Sequence, residues 1–379
     1  MSKYLNRDER DGRMLLNSIQ GLGPIILSRL LDSFEHCPWK ILTSTKSELI
    51  KVQGVGEKAC TAIVNASSSN WLEKEKEKLA NLGGRFLFDS EISENLKELN
   101  DTPIGLYCLG EVPPLPCLSI VGTRVPSMYG KRMARKIASE LANAGICVVS
   151  GMARGIDSEA HAGAIEAGGH TVAFLGSGLD IIYPPENLEL YRKIISSGAV
   201  LSEFPLGRRA DRRTFPMRNR LVAGVSLGVL VIESASSGGS MITAKFAAEQ
   251  GRSVFALPGR VDQAESQGCL DLIRDGATLV RNASDIIEEI APMIPAKEMS
   301  TGKSFIKPTN GDYSFLSQDE QLIVRCLSEG DSYAIDKLHI LTKLPLSQIM
   351  SSLTMLEIRG IVAKRTDGLY ESTGYPLKN

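Results

Sequence analysis

Between about residue 115 and residue 285, short apolar runs rich in β-branched residues alternate with longer stretches of helical period, and this alternation leaves few folds open. The runs are Cys117–Val121, Ile146–Ser150, Thr171–Leu175, Val200–Ser202, Gly228–Ile232, Ser253–Leu257 and Thr278–Val280; Lys131–Ala144, Asp157–Ala167 and Met241–Gln250 lie between them. A strand that is apolar along its whole length must be covered on both faces, and helices between strands turn the connections into crossovers. The expected class is α/β, a Rossmann-like, mainly parallel sheet with helices on both faces. Almost every run ends in glycine or serine, as in Val121-Gly122-Thr123, Ser150-Gly151-Met152 and Gly176-Ser177-Gly178. Ligands of such sheets bind at the carboxyl ends of the strands, where these loops sit.

The flanks follow other patterns. Residues 1–85 read as a small helical domain with two glycine turns, Gly21-Leu22-Gly23-Pro24 and Gln53-Gly54-Val55-Gly56-Glu57. Paired glycines let backbone amides approach a phosphate at a helix N-terminus, as in helix-hairpin-helix or SAM-like modules, but they serve equally as tight turns, and few basic residues flank them. Residues 86–291 contain the Rossmann-like domain with its lead-in. Residues 292–315, rich in Pro, Ser, Gly, Thr and Lys, read as a linker. In 316–379, helical patterns at Glu320–Leu327, Ile335–Thr342 and Leu346–Gly360 precede a β-type ending, Ile361–Lys364 and Gly368-Leu369-Tyr370. This predicts a winged helix, suited to protein contact or dimerisation at least as readily as to duplex DNA.

The whole-chain charge does not point to nucleic acid: 43 basic residues face 44 acidic ones for a net charge of −1, so any such site is a local patch. Seven scattered cysteines without a C-x-x-C pair read as reduced, mostly buried thiols. The opening MSKYLNRDER has no apolar signal region, and no apolar run reaches membrane length, so a cytoplasmic protein with no membrane contact is expected. The histidines (36, 161, 170 and 339) have no metal-ligand spacing, so neither a metal nor a cofactor is expected. His161, within an apolar helical stretch, reads as a core residue.

The patch is FPLGRRADRRTFPMRNR, residues 204–220, with six arginines (208, 209, 212, 213, 218 and 220) against the single acid Asp211. Arginines fork onto phosphates, and a base stacks on a ring such as Phe215 whatever its identity. Basic groups around an aromatic platform suit a single strand. The enzymatic alternatives lack their motifs. Gly122-Thr123-Arg124 is not G-x-G-x-x-G, and no G-x-x-x-x-G-K-[ST] occurs. Pro258-Gly259-Arg260 stands where a nucleotide phosphoribohydrolase would carry P-G-G-x-G-T. Glu203 and Glu233 end strands without an evident catalytic partner. A non-catalytic binder is therefore expected, with a phosphoribohydrolase-like enzyme or a ligand-free adaptor as the alternatives.

Residues 119–277 resemble the DprA (Smf) family motif by motif: SIVGTR (119–124), SGMARGIDSEAHAGAIEAGG (150–169), GSGLDIIYPPEN (176–187), LSEFP (201–205), FPMRNRLVAGVS (215–226), SMITAKFAAEQGR (240–252), FALPG (255–259) and LIRDGA (272–277). The resemblance implies single-stranded DNA bound in a pocket at the strand ends and dimerisation through the Rossmann-like domain. It also implies loading of RecA onto that DNA in natural transformation, with single-strand-binding protein as a further partner. It places a phosphate on Arg124, a base on Phe215 and a basic DNA contact at Arg212. Gly122, Thr123, Ser150, Gly151, Gly155 and Gly176 would shape the pocket; Arg218, Asn219 and Arg220 would follow Phe215 in register; Gly239, Ser240 and Thr243 would open a later helix. Two departures stand out. Gly238-Gly239-Ser240 replaces the usual SGS, leaving backbone amides free for phosphate, and Leu270 replaces the asparagine that usually follows Cys269.

Overall fold

The alternation resolves into one nine-stranded sheet. The computed structural model describes residues 8–66, 70–294, 316–327, 332–359, 361–365 and 368–372. The chain divides into two compact units, Met1–Phe305 and Ile306–Asn379. From residue 295 onward, the linker expected at 292–315 lies outside the described residues.

In the first unit, β1 (Arg85–Leu87) and β2 (Leu106–Gly110) form an antiparallel edge beside the parallel strands β3 (Cys117–Gly122), β4 (Cys147–Ser150), β5 (Thr171–Leu175), β6 (Gly198–Ser202), β7 (Gly228–Ile232), β8 (Ser253–Ala256) and β9 (Thr278–Leu279). The order is β1-β2-β6-β5-β4-β3-β7-β8-β9. From β3 the chain steps outward to β6, then returns to lay β7 on the other side of β3. All seven expected runs became strands; β1 and β2 were not anticipated, because short helical turns break up their lead-in segment.

The pleat sorts β3 between two cores. Leu118 and Ile120 join one cluster, with Ile137, Leu141, Ala160 and Ile286, while Val121 joins the other, with Leu221, Val222 and Ala247. Ahead of this domain come α1 (Glu9–Asn17), α2 (Pro24–Ser33), α3 (Pro38–Thr43), α4 (Lys46–Leu49), α5 (Glu57–Ala66), α6 (Trp71–Asn81) and α7 (Glu94–Lys97). The crossover helices are α8 (Met128–Asn143), α9 (Ile156–Glu166), α10 (Leu188–Ser197), α11 (Thr214–Val225), α12 (Gly239–Glu249) and α13 (Ala264–Arg274), closed by α14 (Ala283–Ile290). Helix α8 follows from its spacing: Ala134, Ile137, Ala138 and Leu141 fall on one buried stripe, and Ser127 caps its start by accepting the Gly130 N–H at 3.1 Å. The helical region has its own core, including Leu16, Leu30, Ile41 and Ile63, and a second cluster joins it to the sheet, in which Met14, Leu72 and Leu79 pack with Tyr107, Leu175 and Leu206.

The second unit has helices at Gln318–Leu327, Ile335–Thr342 and Leu346–Ile358, and a small antiparallel sheet ordered β10 (Ser332–Tyr333), β12 (Tyr370–Ser372), β11 (Val362–Lys364). Ile323, Leu338, Ile349, Leu353 and Leu356 close its core. Among the described residues, no helix is long and apolar enough to cross a membrane. All seven cysteines are free thiols, four of them buried and three half-buried.

His161 lies fully buried on α9. Its Nδ1 shares a 2.6 Å hydrogen bond with the Thr171 hydroxyl, and its Nε2 has no partner. Burial, with Arg218 nearby, pulls the imidazole down to about 3 from its ordinary 6.5. The unfolded chain therefore takes up a proton near pH 6.5 that the folded protein refuses until about pH 3. The stability contributed by neutral His161 is complete above pH 6.5 and lost as the pH falls towards 3. Between pH 7 and 5 it should cost the wild type about 2 kcal/mol that His161→Gln does not lose; urea midpoints of both proteins at the two pH values measure this.

Candidate nucleic-acid interface

The carboxyl ends of β3 to β6 open into a cleft of about 390 Å³ including its mouth, lined chiefly by Arg124, Arg154, Tyr183, Phe215 and Arg218 around the small residues Gly151 and Gly176. Helix α11 supplies two of the walls. Successive helical residues turn by about 100°, so Phe215 and Arg218 share one face while Arg220 points elsewhere. Asp211 sets the start of this helix, accepting the N–H groups of Arg213 at 2.8 Å and Thr214 at 3.1 Å.

Half-buried Phe215 stands at the mouth. The Arg124 guanidinium lies 5.1 Å from its ring centroid, and the Tyr183 ring, itself 42% exposed, lies 6.0 Å away at 56°. Below it, Arg218 is 5% exposed, with Nη1 3.9 Å from Asp157 and Nε without any partner. Gly151 makes room for that guanidinium, since a Cβ there would fall on it. Burial, with the like charge of Arg124 adding to it, holds Arg218 below its usual range, while Asp157 works against the fall. The Asp157 carboxylate also accepts the N–H groups of Gly151 at 3.2 Å and Ala153 at 3.3 Å; burial nonetheless raises it. Two arginines thus converge on a cleft with one carboxylate beneath them, and the surplus charge is positive.

The segment leading into α11 adds to that surplus. Arg208 pairs with Asp211 at 2.5 Å, whereas exposed Arg209, Arg212 and Arg213 have no side-chain ion pair among the described residues. Arg154 pairs with Glu186 across the cleft rim.

The remaining expected residues divide. Gly176 lines the cleft, where a Cβ would meet Thr214 and Phe215 at ordinary contact distance. Gly155 has φ +80° and packs on the Thr123 carbonyl, a conformation and an approach that exclude a side chain. Gly122 abuts the Ile232 carbonyl, and Thr123 donates its N–H to Glu233 at 2.7 Å; both hold the β3 loop without lining the cleft. Ser150 is buried, its hydroxyl donating to the Ile120 carbonyl at 2.6 Å. Asn219 is half-buried beyond Arg218. Arg220 is drawn inward: its Nη2 donates to both Glu203 oxygens at 2.5 and 2.6 Å and its Nη1 to the Asp101 carbonyl at 2.7 Å. Gly239, Ser240 and Thr243 lie at the start of α12, beyond β7 and outside the cleft lining, with Ser240 and Thr243 buried. Tyr183 and Arg154 were missed as site residues; their signal was an aromatic and a cation on loops that leave strand ends.

The crevice between β3 and β7, where the strand order reverses and a dinucleotide would sit, is closed by the chain itself. Glu233 accepts the Ser127 N–H at 2.8 Å and the Ser127 hydroxyl, and packs against Gly130, so its carboxylate takes the anion position at the start of α8.

The family model described as DNA recombination-mediator protein A matches residues 85–291, more than half of the chain. The protein Smf of Synechocystis sp. is 32% identical over 392 residues, covering 94% of this chain and 96% of that protein. Among solved structures, DNA processing protein A of Streptococcus pneumoniae matches with a TM-score of 0.66 at 30% identity, over 74% of this chain and 97% of that one. DNA processing protein A of Helicobacter pylori, studied for its single-stranded DNA binding mode, matches with a TM-score of 0.50 at 29% identity, over 56% and 98%. The family model over more than half of the chain and a relative 32% identical along nearly its whole length lead to one conclusion: the chain belongs to the DNA recombination-mediator protein A (DprA/Smf) family.

Proposed function

We propose that this protein binds single-stranded DNA without sequence preference in the cleft at the ends of β3 to β6, protects it, and loads RecA onto it for recombination in natural transformation. The observation that carries the binding step is Phe215, a half-buried ring at the mouth with Arg124 beside it and the unpartnered Nε of Arg218 below. A base stacks on the ring while phosphates meet Arg124 and the unpaired Arg209, Arg212 and Arg213. Arg218 receives a polar atom of the strand at its free Nε; Gly151 leaves room for its guanidinium, Gly176 lines the cleft, and Gly155 packs against the loop that carries Arg124. Arg220, Ser150, Gly122 and Thr123 support the site from within; Asn219 stays a candidate contact, and Gly239, Ser240 and Thr243 do not join this cleft.

A non-catalytic role suits this geometry. Among the described residues, the lining includes no carboxylate; beside it, Asp157 is already bonded to two amides and Glu186 is paired with Arg154. The handover to RecA, a homodimer through the Rossmann-like domain, and contact with single-strand-binding protein are proposed on family membership. The C-terminal unit is proposed as a winged helix used for protein contact: its helix Leu346–Ile358 contains no lysine or arginine and exposes Met350 and Ile358, a poor match to a phosphate backbone.

Affinity for oligo-dT should fall steeply with salt and depend little on base order; a flat salt response would defeat the reading. Phe215→Ala should cost about 1–3 kcal/mol of binding with the salt slope intact, whereas Arg212→Ala should lower the slope by about one. Titrations at several salt concentrations separate the two effects.

Arg124→Ala should weaken binding and leave the melting temperature nearly unchanged. Arg220→Ala should instead destabilise the fold by about 3–5 kcal/mol, because it strands Glu203 as an uncompensated buried charge. Thermal melts run alongside the titrations test this contrast; equal destabilisation by the two substitutions would contradict it.

A further inference from the structure

Helix α6 delivers a carboxylate into the interior of the α/β domain. Glu75 is 2% exposed, and its Oε1 accepts the backbone N–H of Leu206 at 2.7 Å. Leu206 opens the arginine segment, and its side chain is buried in the cluster that holds Leu72 and Leu79 of the same helix. The fully buried phenol of Tyr107 adjoins the carboxyl from β2. A second tether comes from α1, where Asn17 Nδ2 donates to the Glu203 carbonyl at 2.7 Å. On its other side the segment is stitched to the loop after β5: Gly207 donates to Asp180 at 2.7 Å, and the Arg208 carbonyl accepts the Gly178 N–H at 2.8 Å.

A carboxylate withdrawn from water is costly unless its bonds are used, and here the bond that crosses from the helical region holds one loop amide, two residues before the first arginine. We propose that Glu75 is a positioning residue for DNA binding, through which the N-terminal helices brace the arginine segment. Arg209, Arg212, Arg213 and Phe215 then meet the strand already ordered, and the strand does not have to supply that order. This rests on the single-strand reading above. Loosening the brace leaves the number of neutralised phosphates unchanged, so it lowers affinity without changing the salt slope. A neutral carboxamide keeps an oxygen for the Leu206 N–H, so glutamine should preserve the brace.

The test compares Glu75→Leu, Glu75→Gln and Asn17→Ala with wild type in two arms: oligo-dT titrations at several salt concentrations, and trypsin cleavage after Arg208–Arg213 without DNA. Glu75→Leu should bind roughly three- to tenfold more weakly, the equivalent of one net hydrogen bond, with an unchanged salt slope and faster cleavage, and Glu75→Gln should restore both. Faster cleavage with wild-type affinity would overturn the positioning role, and unchanged cleavage would overturn the brace itself. Should Glu75→Leu not fold, Asn17→Ala must show the same two changes at smaller size, and its failure to do so overturns the proposal. If the wild type does not retain oligo-dT, the single-strand reading falls and positioning for DNA falls with it, while the cleavage arm still shows whether Glu75 holds the segment.

Discussion

Helix α11 is pinned to the sheet by a guanidinium that hardly meets solvent. Arg220 is 4% exposed and Glu203 7%, and two short bonds join them, with the Asp101 carbonyl taking a third donor. Removing two charges from water costs several kcal/mol each, which only good geometry offsets. What the pair supplies is a fixed rotation of the helix. Glu203 follows β6 and Asp101 precedes β2, so Arg220 locks α11 between two neighbouring strands, and the helix then presents Phe215 and Arg218 to the cleft. The cleft wall that α11 supplies depends on that rotation, while Arg124, Arg154 and Tyr183 come from the loops after β3, β4 and β5.

A second constraint runs through the loops. In many sheets of this class, free amides at helix starts wait for phosphate; here carboxylates of the same chain occupy two such places. Glu233 fills the start of α8, and Asp157 takes the amides of the β4–α9 loop. Those amides are thereby already taken, and the exposed positive charge near the strand ends is carried by arginine side chains on the β3–β6 side.

Much of the architecture was legible because buried parallel strands leave an unmistakable record: seven apolar runs separated by helical period became seven parallel strands. The antiparallel edge was not, because β1 is three residues long and β2 follows broken helical turns; β2 is placed by pairing with β6 and β1 by pairing with β2, which local pattern does not encode. The cleft was partly legible. Arg124, Gly151, Gly176, Phe215 and Arg218 do come together, since the ends of parallel strands converge by geometry. Tyr183 went unnoticed because its importance lies in a ring contact with Phe215, 32 positions away in the chain.

The residue order alone determined that a mainly parallel, two-faced sheet forms, and that positive charge is concentrated in one stretch of a chain whose remainder is net acidic. These follow from local periodicity and side-chain chemistry, which a sequence states outright. It could not say which of the six arginines work outward. Arg218 and Arg220 stand two positions apart in one motif, yet a helical turn of about 200° sends one into the cleft and the other into a buried ion pair. That choice belongs to the tertiary structure, because it depends on Asp157, Glu203 and Asp101, carboxyl-bearing residues brought from distant parts of the chain to opposite sides of one helix.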